Sequence, residues 1–143
     1  KLFFVDKYYK PELPLNLTKY LLKFANSSID VSDGLIDDLA KMINRQSLSF
    51  HLFENKIPVS NKLSNLIKKQ RLNKINLISN GDDYQVLFTA DIKKARIIKK
   101  ASKTTGIKIT KIGKIVSGKD RSLIFDEKGK QIRAKSKGYI HRF

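Results

Sequence analysis

Apolar and polar positions alternate along this chain with two different periods, and the switches between them mark its elements. Leu17, Tyr20, Leu21, Phe24 and Ala25 recur at helical spacing and predict a first amphipathic helix. Ahead of it, Pro11 and Pro14 forbid a continuous helix, so residues 1–14 read as an irregular or extended lead-in. Ser28-Ile29-Asp30-Val31 predicts a short strand. Asp33-Gly34 then opens a second helix with Leu35, Leu39, Met42 and Ile43 on one face. Asp37 and Asp38 fall in its first turns, where the helix dipole favours negative charge. Phe50 and Leu52 alternate with Ser49, His51 and Phe53 as a strand. A loop carrying Pro58 follows, and Leu63, Leu66 and Ile67 mark a third, shorter helix.

Farther on, Asn76 to Ser79 and Tyr84 to Thr89 read as strand segments flanking Asn80-Gly81-Asp82-Asp83. Asp91 to about Thr105 predicts a long helix with Ala95, Ile98 and Ala101 toward the core, stopped by Gly106. Ile107, Ile109, Ile112 and Ile115 read as strand positions interrupted at Gly113. Ser122 to Phe125 and Gln131 to Ala134 flank Asp126-Glu127-Lys128-Gly129-Lys130 as a hairpin. No internal repeat or low-complexity linker interrupts the pattern. Interleaved helices and strands predict an α+β fold, a mixed β-sheet covered by helices, with residues 15–143 as one domain behind the lead-in.

Composition narrows the class. The chain has 143 residues, 41% of them hydrophobic, too many for a disordered polyelectrolyte and enough for a core without staples. It has no cysteine, which excludes disulfides and thiolate chemistry. The two histidines, His51 in a strand and His141 near the end, are not grouped for a transition-metal site. No apolar run approaches the roughly 20 residues of a membrane helix. Lys1-Leu2-Phe3-Phe4-Val5 meets Asp6 and Lys7 at once, unlike a signal peptide. A soluble, cytoplasmic domain without a membrane partner is the expectation. The missing initiator Met is read as the mark of a portion of something longer.

Charge needs more care. Thirty Lys+Arg against 13 Asp+Glu give a net charge of +17, which first suggests nucleic acid. The basic residues are mostly Lys, however, in a chain also rich in Ile and Asn, a profile that AT-rich coding produces by itself. Base-edge and phosphate forks favour Arg. Runs such as Lys68-Lys69-Gln70-Arg71, Lys93-Lys94 and Lys99-Lys100 sit beside apolar positions as solvated helix faces. No specific nucleic-acid partner is expected. The acids say more: Asp30, Asp33, Asp37 and Asp38 share one short stretch and Asp82-Asp83 another, together nearly half of the 13.

In Ile29-Asp30-Val31-Ser32-Asp33-Gly34-Leu35, a strand ends in one carboxylate and a second stands at a helix start. Such a pair suits Mg²⁺, and the hydroxyl between them, with the helix N-terminal amides, suits a phosphate oxygen. On residue types alone, Ser32 or Asp33 serves equally as a plain helix cap. In Ser79-Asn80-Gly81-Asp82-Asp83-Tyr84-Gln85, two acids before a strand suit a cation or a cationic ligand, and an ordinary polar turn accounts for them as well.

The first stretch, followed by Asp38-Leu39, resembles the aliphatic-Asp-x-Ser-Asp-Gly-Leu motif in the carboxy-terminal half of thiamine-monophosphate kinase. Asn80-Gly81-Asp82-Asp83-Tyr84-Gln85-Val86 is similar to that family's Gly-Gly-Glu-Asp-Tyr-Glu-Leu. Ile112-Gly113-Lys114-Ile115, the lead-in Tyr8-Tyr9-Lys10-Pro11 and the ending Gly138-Tyr139-Ile140-His141 also match, in order, along nearly the whole chain. The first motif is shared with aminoimidazole ribonucleotide synthetase, a relative by fold.

This resemblance implies a carboxy-terminal domain of the aminoimidazole ribonucleotide synthetase-like type, working with Mg²⁺ and ATP on thiamine monophosphate. It implies Asp30 and Asp33 as Mg²⁺ ligands, Ser32 on the nucleotide, and Asp82 and Tyr139 on the thiamine substrate, with no residue acting as general base. It also implies an amino-terminal domain as partner, a homodimer when complete, and no turnover by this portion alone. Tyr139 reads equally as a packing aromatic. Asn80, Asp82 and Gln85 replace Gly, Glu and Glu of the family pattern, and Arg142 is inserted before Phe143. Two alternatives stay open: a related ATP-dependent synthetase domain with another substrate, and a basic nucleic-acid-binding module.

Overall fold

The computed structural model describes residues 2–44 and 46–134. In chain order it contains α1 (Leu2–Tyr9), α2 (Leu15–Phe24), β1 (Ala25–Asp30), α3 (Leu35–Ile43), β2 (Leu48–Phe53), α4 (Asn61–Gln70), α5 (Lys74–Leu77), β3 (Val86–Ala90), α6 (Ala95–Thr105), β4 (Gly113–Ser117), β5 (Leu123–Phe125) and β6 (Gln131–Ile132). The class is α+β, as the sequence pattern predicts, but the strands divide between two sheets. β1 and β3 form an antiparallel pair running from Ala25 opposite Ala90 to Asp30 opposite Val86. The other sheet is mixed, in the order β4-β2-β5-β6, with β2 antiparallel to β4 and parallel to β5, and the β5–β6 hairpin at its edge.

Each sheet gathers its own apolar cluster. Helices α2 and α6 cover the β1–β3 pair: Leu17, Phe24 and Ala101 are buried there, and the Phe24 and Phe88 rings meet at 5.1 Å. Helix α3 covers the mixed sheet, burying Leu35, Ile36, Leu39 and Ile43 with Phe50, Leu52 and Ile124. Its apolar stripe repeats at three- and four-residue intervals, as a helix with one buried face requires. The basic residues at 68, 69, 93, 94, 99 and 100 are exposed, matching the solvated faces predicted for them.

Four local expectations are corrected. Leu2–Tyr9 is helical rather than irregular, because Pro11 and Pro14 constrain only themselves and their predecessors and leave the preceding turns free. Lys74–Leu77 is a helical turn rather than a strand: the Asn73 side chain accepts from the Asn76 N–H at 3.1 Å and caps it. Gly113 starts β4 instead of interrupting a strand, while Ile107, Ile109 and Ile112 lie outside any ladder. A Cβ at residue 113 would stand 2.3 Å from the His51 carbonyl oxygen, so a glycine is what lets β4 close on β2. Ala95 is exposed; of the α6 positions predicted for the core, Ala101 is buried and Ile98 packs at its margin. The tail with Tyr139 and His141 lies outside the described residues.

Candidate functional site

The β1–β3 ladder does not stop at Asp30. Val31 N–H donates to the Gln85 carbonyl at 2.9 Å, Tyr84 N–H donates to the Val31 carbonyl at 2.8 Å, and Asp82 N–H donates to the Ser32 carbonyl at 2.9 Å. The two acidic motifs, about fifty residues apart in the chain, are therefore stitched edge to edge through their backbones. Glycines permit the approach. A Cβ on Gly81 (φ +83°) would stand 2.2 Å from the Ser32 oxygen, and one on Gly34 (φ +126°) 2.4 Å from the Ser79 oxygen. Asp82 and Tyr84 hold left-handed backbone angles, φ +60° and +49°. That conformation is strained for a tyrosine and tolerated better by a short acid.

Asp38 organises the loop between β1 and α3. Its carboxylate is buried, and Oδ2 accepts from the backbone N–H groups of Ser32 at 2.9 Å, Asp33 at 3.0 Å and Gly34 at 3.1 Å. Neither Ser32 nor Asp33 caps α3 in the ordinary way. Gly34 occupies the cap position and carries no side-chain cap bond. Leu35 N–H donates to the Ile78 carbonyl at 3.1 Å. Four consecutive amides at this loop and helix start are thus engaged within the protein, rather than turned outward to receive a phosphate oxygen. The sequence pattern assigned Asp38 only a dipole contribution. The signal for its reach was its place four residues beyond Gly34, within range of a folded-back loop.

Lys41 stands over the same carboxylates. Its Nζ donates to Asp33 Oδ2, to Asp37 Oδ2 at 2.7 Å and to Asp38 Oδ1 at 3.2 Å. Its pKa is raised well above the ordinary lysine range, first by the Asp33 hydrogen bond and then by Asp37. Carboxylate oxygens of Asp33, Asp37 and Asp38 all lie within 4.8 Å of one another. Oxygen donors suit a hard divalent cation rather than a soft one, but in this structure the Lys41 ammonium is the cation on all three carboxylates. Asp30 is outside that group, exposed at the end of β1. Ser32 and Asp33 are half-buried.

Asp82 and Asp83 lie on the other side of the stitch, both exposed, with the Tyr84 hydroxyl 3.5 Å from Asp82 Oδ1. They line an open groove of about 1460 Å³ together with Asn80, Gly81 and Gln85, whereas Asp30, Ser32 and Asp33 are outside its lining. The protein around the Asp83 carboxyl pushes its pKa above the usual value, and the neighbouring Asp82 charge adds to the rise. Two adjacent carboxylates on an open groove suit a cationic ligand. Asn80, unlike Gly81, lies outside the left-handed region, so its backbone there does not call for a glycine.

No family model matches the chain. Among curated proteins it is similar to thiamine-monophosphate kinase of Buchnera aphidicola subsp. Acyrthosiphon pisum, 33% identical over 140 residues, which cover 97% of this chain and 42% of that protein. It is 32% identical to the thiamine-monophosphate kinase of Aquifex aeolicus over 90 residues, 62% of this chain and 29% of that one. The structure superposes on AaThiL complexed with AMPPCP and TMP with a TM-score of 0.71 at 27% identity, covering 97% of this chain and 41% of that one. A crystal structure of the Aquifex aeolicus kinase gives a TM-score of 0.66 at 27% identity, with 92% and 41% covered. The chain thus spans about two fifths or less of the relatives it matches. No helix among the described residues is long and apolar enough to cross a membrane.

Proposed function

We propose that this chain, a homologue of the carboxy-terminal portion of thiamine-monophosphate kinases, supplies part of the site that transfers the γ-phosphoryl of ATP to thiamine monophosphate. The observation that carries the reading is the Asp82 N–H bond to the Ser32 carbonyl at 2.9 Å, which ties the two acidic motifs together through their backbones. The matching relatives are thiamine-monophosphate kinases, and a superposing relative was solved with AMPPCP and TMP.

The roles follow from charge. The acceptor is a phosphate, already an anion at neutral pH, so no side chain needs to take a proton from it. The difficulty is to bring two polyanions together in line, which is a matter of positioning and electrostatics. Asp30 and Asp33 would hold Mg²⁺, which when bound neutralises phosphate charge. Asp33 brings a carboxylate of the right chemistry, shared in this structure with the Lys41 ammonium, and Asp30 stands exposed at the end of β1. Ser32, between them, offers its hydroxyl to the nucleotide. Asp82 would face the cationic thiamine, in the groove that it lines with Asp83. The departure from Glu to Asp at residue 82 is compatible with a left-handed backbone, where a short acid is the easier residue. Tyr139 would stack on a substrate ring.

On this reading the chain works with an amino-terminal domain of the same enzyme, residues 1–14 lead in from it, the complete enzyme is a homodimer, and the setting is cytoplasmic. The test is steady-state kinetics of the polypeptide carrying this chain with that domain. Asp82→Ala should raise the KM for thiamine monophosphate by about 10- to 100-fold, the worth of a charged contact, and leave the KM for ATP unchanged. An unchanged KM for thiamine monophosphate would favour a related synthetase acting on another substrate.

A further inference from the structure

We infer that Asp38 is a positioning residue, which sets Ser32 and Asp33 for the ligands assigned to them without touching those ligands itself. The inference rests on the function proposed above and deepens it. Asp38 is 1% exposed, and one of its oxygens gathers three consecutive backbone amides, those of Ser32, Asp33 and Gly34. Three amides converging on a single acceptor fix the peptide planes between them. They thereby fix the directions in which the Ser32 and Asp33 side chains leave the backbone. The same bonds, with Lys41 Nζ at 3.2 Å on the other oxygen, offset the cost of burying the charge.

The opposite edge of this loop is held by the second motif, through Tyr84 N–H on the Val31 carbonyl and Asp82 N–H on the Ser32 carbonyl. The loop is therefore gripped between Asp38 beneath it and residues 82–84 beside it. A change at residue 38 alters the geometry of both acidic motifs. A residue that served only the helix dipole would act by proximity to the helix end and would not need to be spent on three loop amides. Removing a group that orients a metal ligand costs about 10- to 100-fold in metal affinity.

The experiment uses the ¹⁵N-labelled chain and Mn²⁺ alone, whose unpaired electrons broaden nearby amide signals. Wild type should show selective broadening centred on residues 30–34 and reaching the groups bonded to them, residues 38, 82 and 84. Asp38→Ala should need about 10- to 100-fold more Mn²⁺ for the same effect. Its Ser32, Asp33 and Gly34 amides should exchange faster with solvent, while those of the core residues Leu52 and Ile75 keep their protection. Asp38→Asn, which retains an oxygen for the amides, should stay near wild type on both counts. If Asp38→Ala does not fold, Asp38→Asn decides alone: a wild-type Mn²⁺ response supports positioning, and its loss overturns it. Equal Mn²⁺ responses in Asp38→Ala and wild type would overturn the positioning role and leave the metal assignment standing. Loss of the response in Asp38→Asn with the loop amides still protected would make Asp38 a ligand and also overturn it. No selective broadening in wild type would remove the metal assignment, and the positioning role with it.

Discussion

Gly34 faces the carbonyl of Ser79 so closely that a Cβ at residue 34 would stand 2.4 Å from its oxygen. Ser79 is itself fully buried and anchored by its hydroxyl, which donates to the Ile75 carbonyl at 2.7 Å. The segment that leads into the second acidic motif is therefore the wall against which the first is folded, and neither loop has its shape without the other.

Substitution at this contact should be costly. Gly34→Ala forces both a left-handed backbone and a collision with rigid main chain, and should lower stability by about 2–4 kcal/mol in urea denaturation. Gly106→Ala is the control: it shares a positive φ, at +72°, but a Cβ there meets nothing within 4 Å. That variant should lose only about 1 kcal/mol. Equal losses would show that backbone strain, and not the loop-to-loop approach, accounts for Gly34.

Lys41 gives a pH signature. Its pKa is raised in the folded chain, so its contribution is fully present below the unfolded value of about 10.4 and is lost as pH rises through the folded value. Lys41 is 45% exposed, and solvent screening limits the effect to on the order of 1 kcal/mol. Lys41→Met should be less stable than wild type by that amount at pH 7, and the gap should close only above about pH 10.4. Urea titrations from pH 7 to about 11.5 measure it. A gap that closes near neutrality would contradict the three-carboxylate contact.

Much of this arrangement was legible in the residues. The stripes Leu17-Tyr20-Leu21-Phe24 and Leu35-Leu39-Ile43 repeat at helical spacing and form α2 and α3. The turn at Asp126–Lys130 joins β5 to β6, with Lys128 N–H and Lys130 N–H both donating to the Asp126 side chain. What escaped was tertiary. The run Ile75-Asn76-Leu77-Ile78 is too short for its period to separate strand from helical turn. Gly113 looked like a breaker because the His51 carbonyl that requires it comes from a distant strand. The reach of Asp38 back to Ser32–Gly34 depends on the fold of a loop held by Ser79 and Asp82, which no local pattern contains. The clustering of scarce acids, by contrast, is a property of the sequence itself and coincides with both loops.

The chain by itself should not turn over ATP in a manner dependent on thiamine monophosphate, because on the proposed function it works together with an amino-terminal domain of the same enzyme. A coupled assay of purified chain with both substrates and Mg²⁺ checks this. Steady turnover would show that the chain is sufficient.

The most direct measurement is thiamine diphosphate formation by a polypeptide that carries this chain together with the amino-terminal domain proposed for it, comparing wild type with Asp30→Asn and Asp33→Asn. Each substitution keeps the side chain's shape and removes its charge. The account predicts that kcat falls by at least about 100-fold in each, the scale of losing a group that stabilises transition-state charge. Turnover at the wild-type rate in both variants would contradict it.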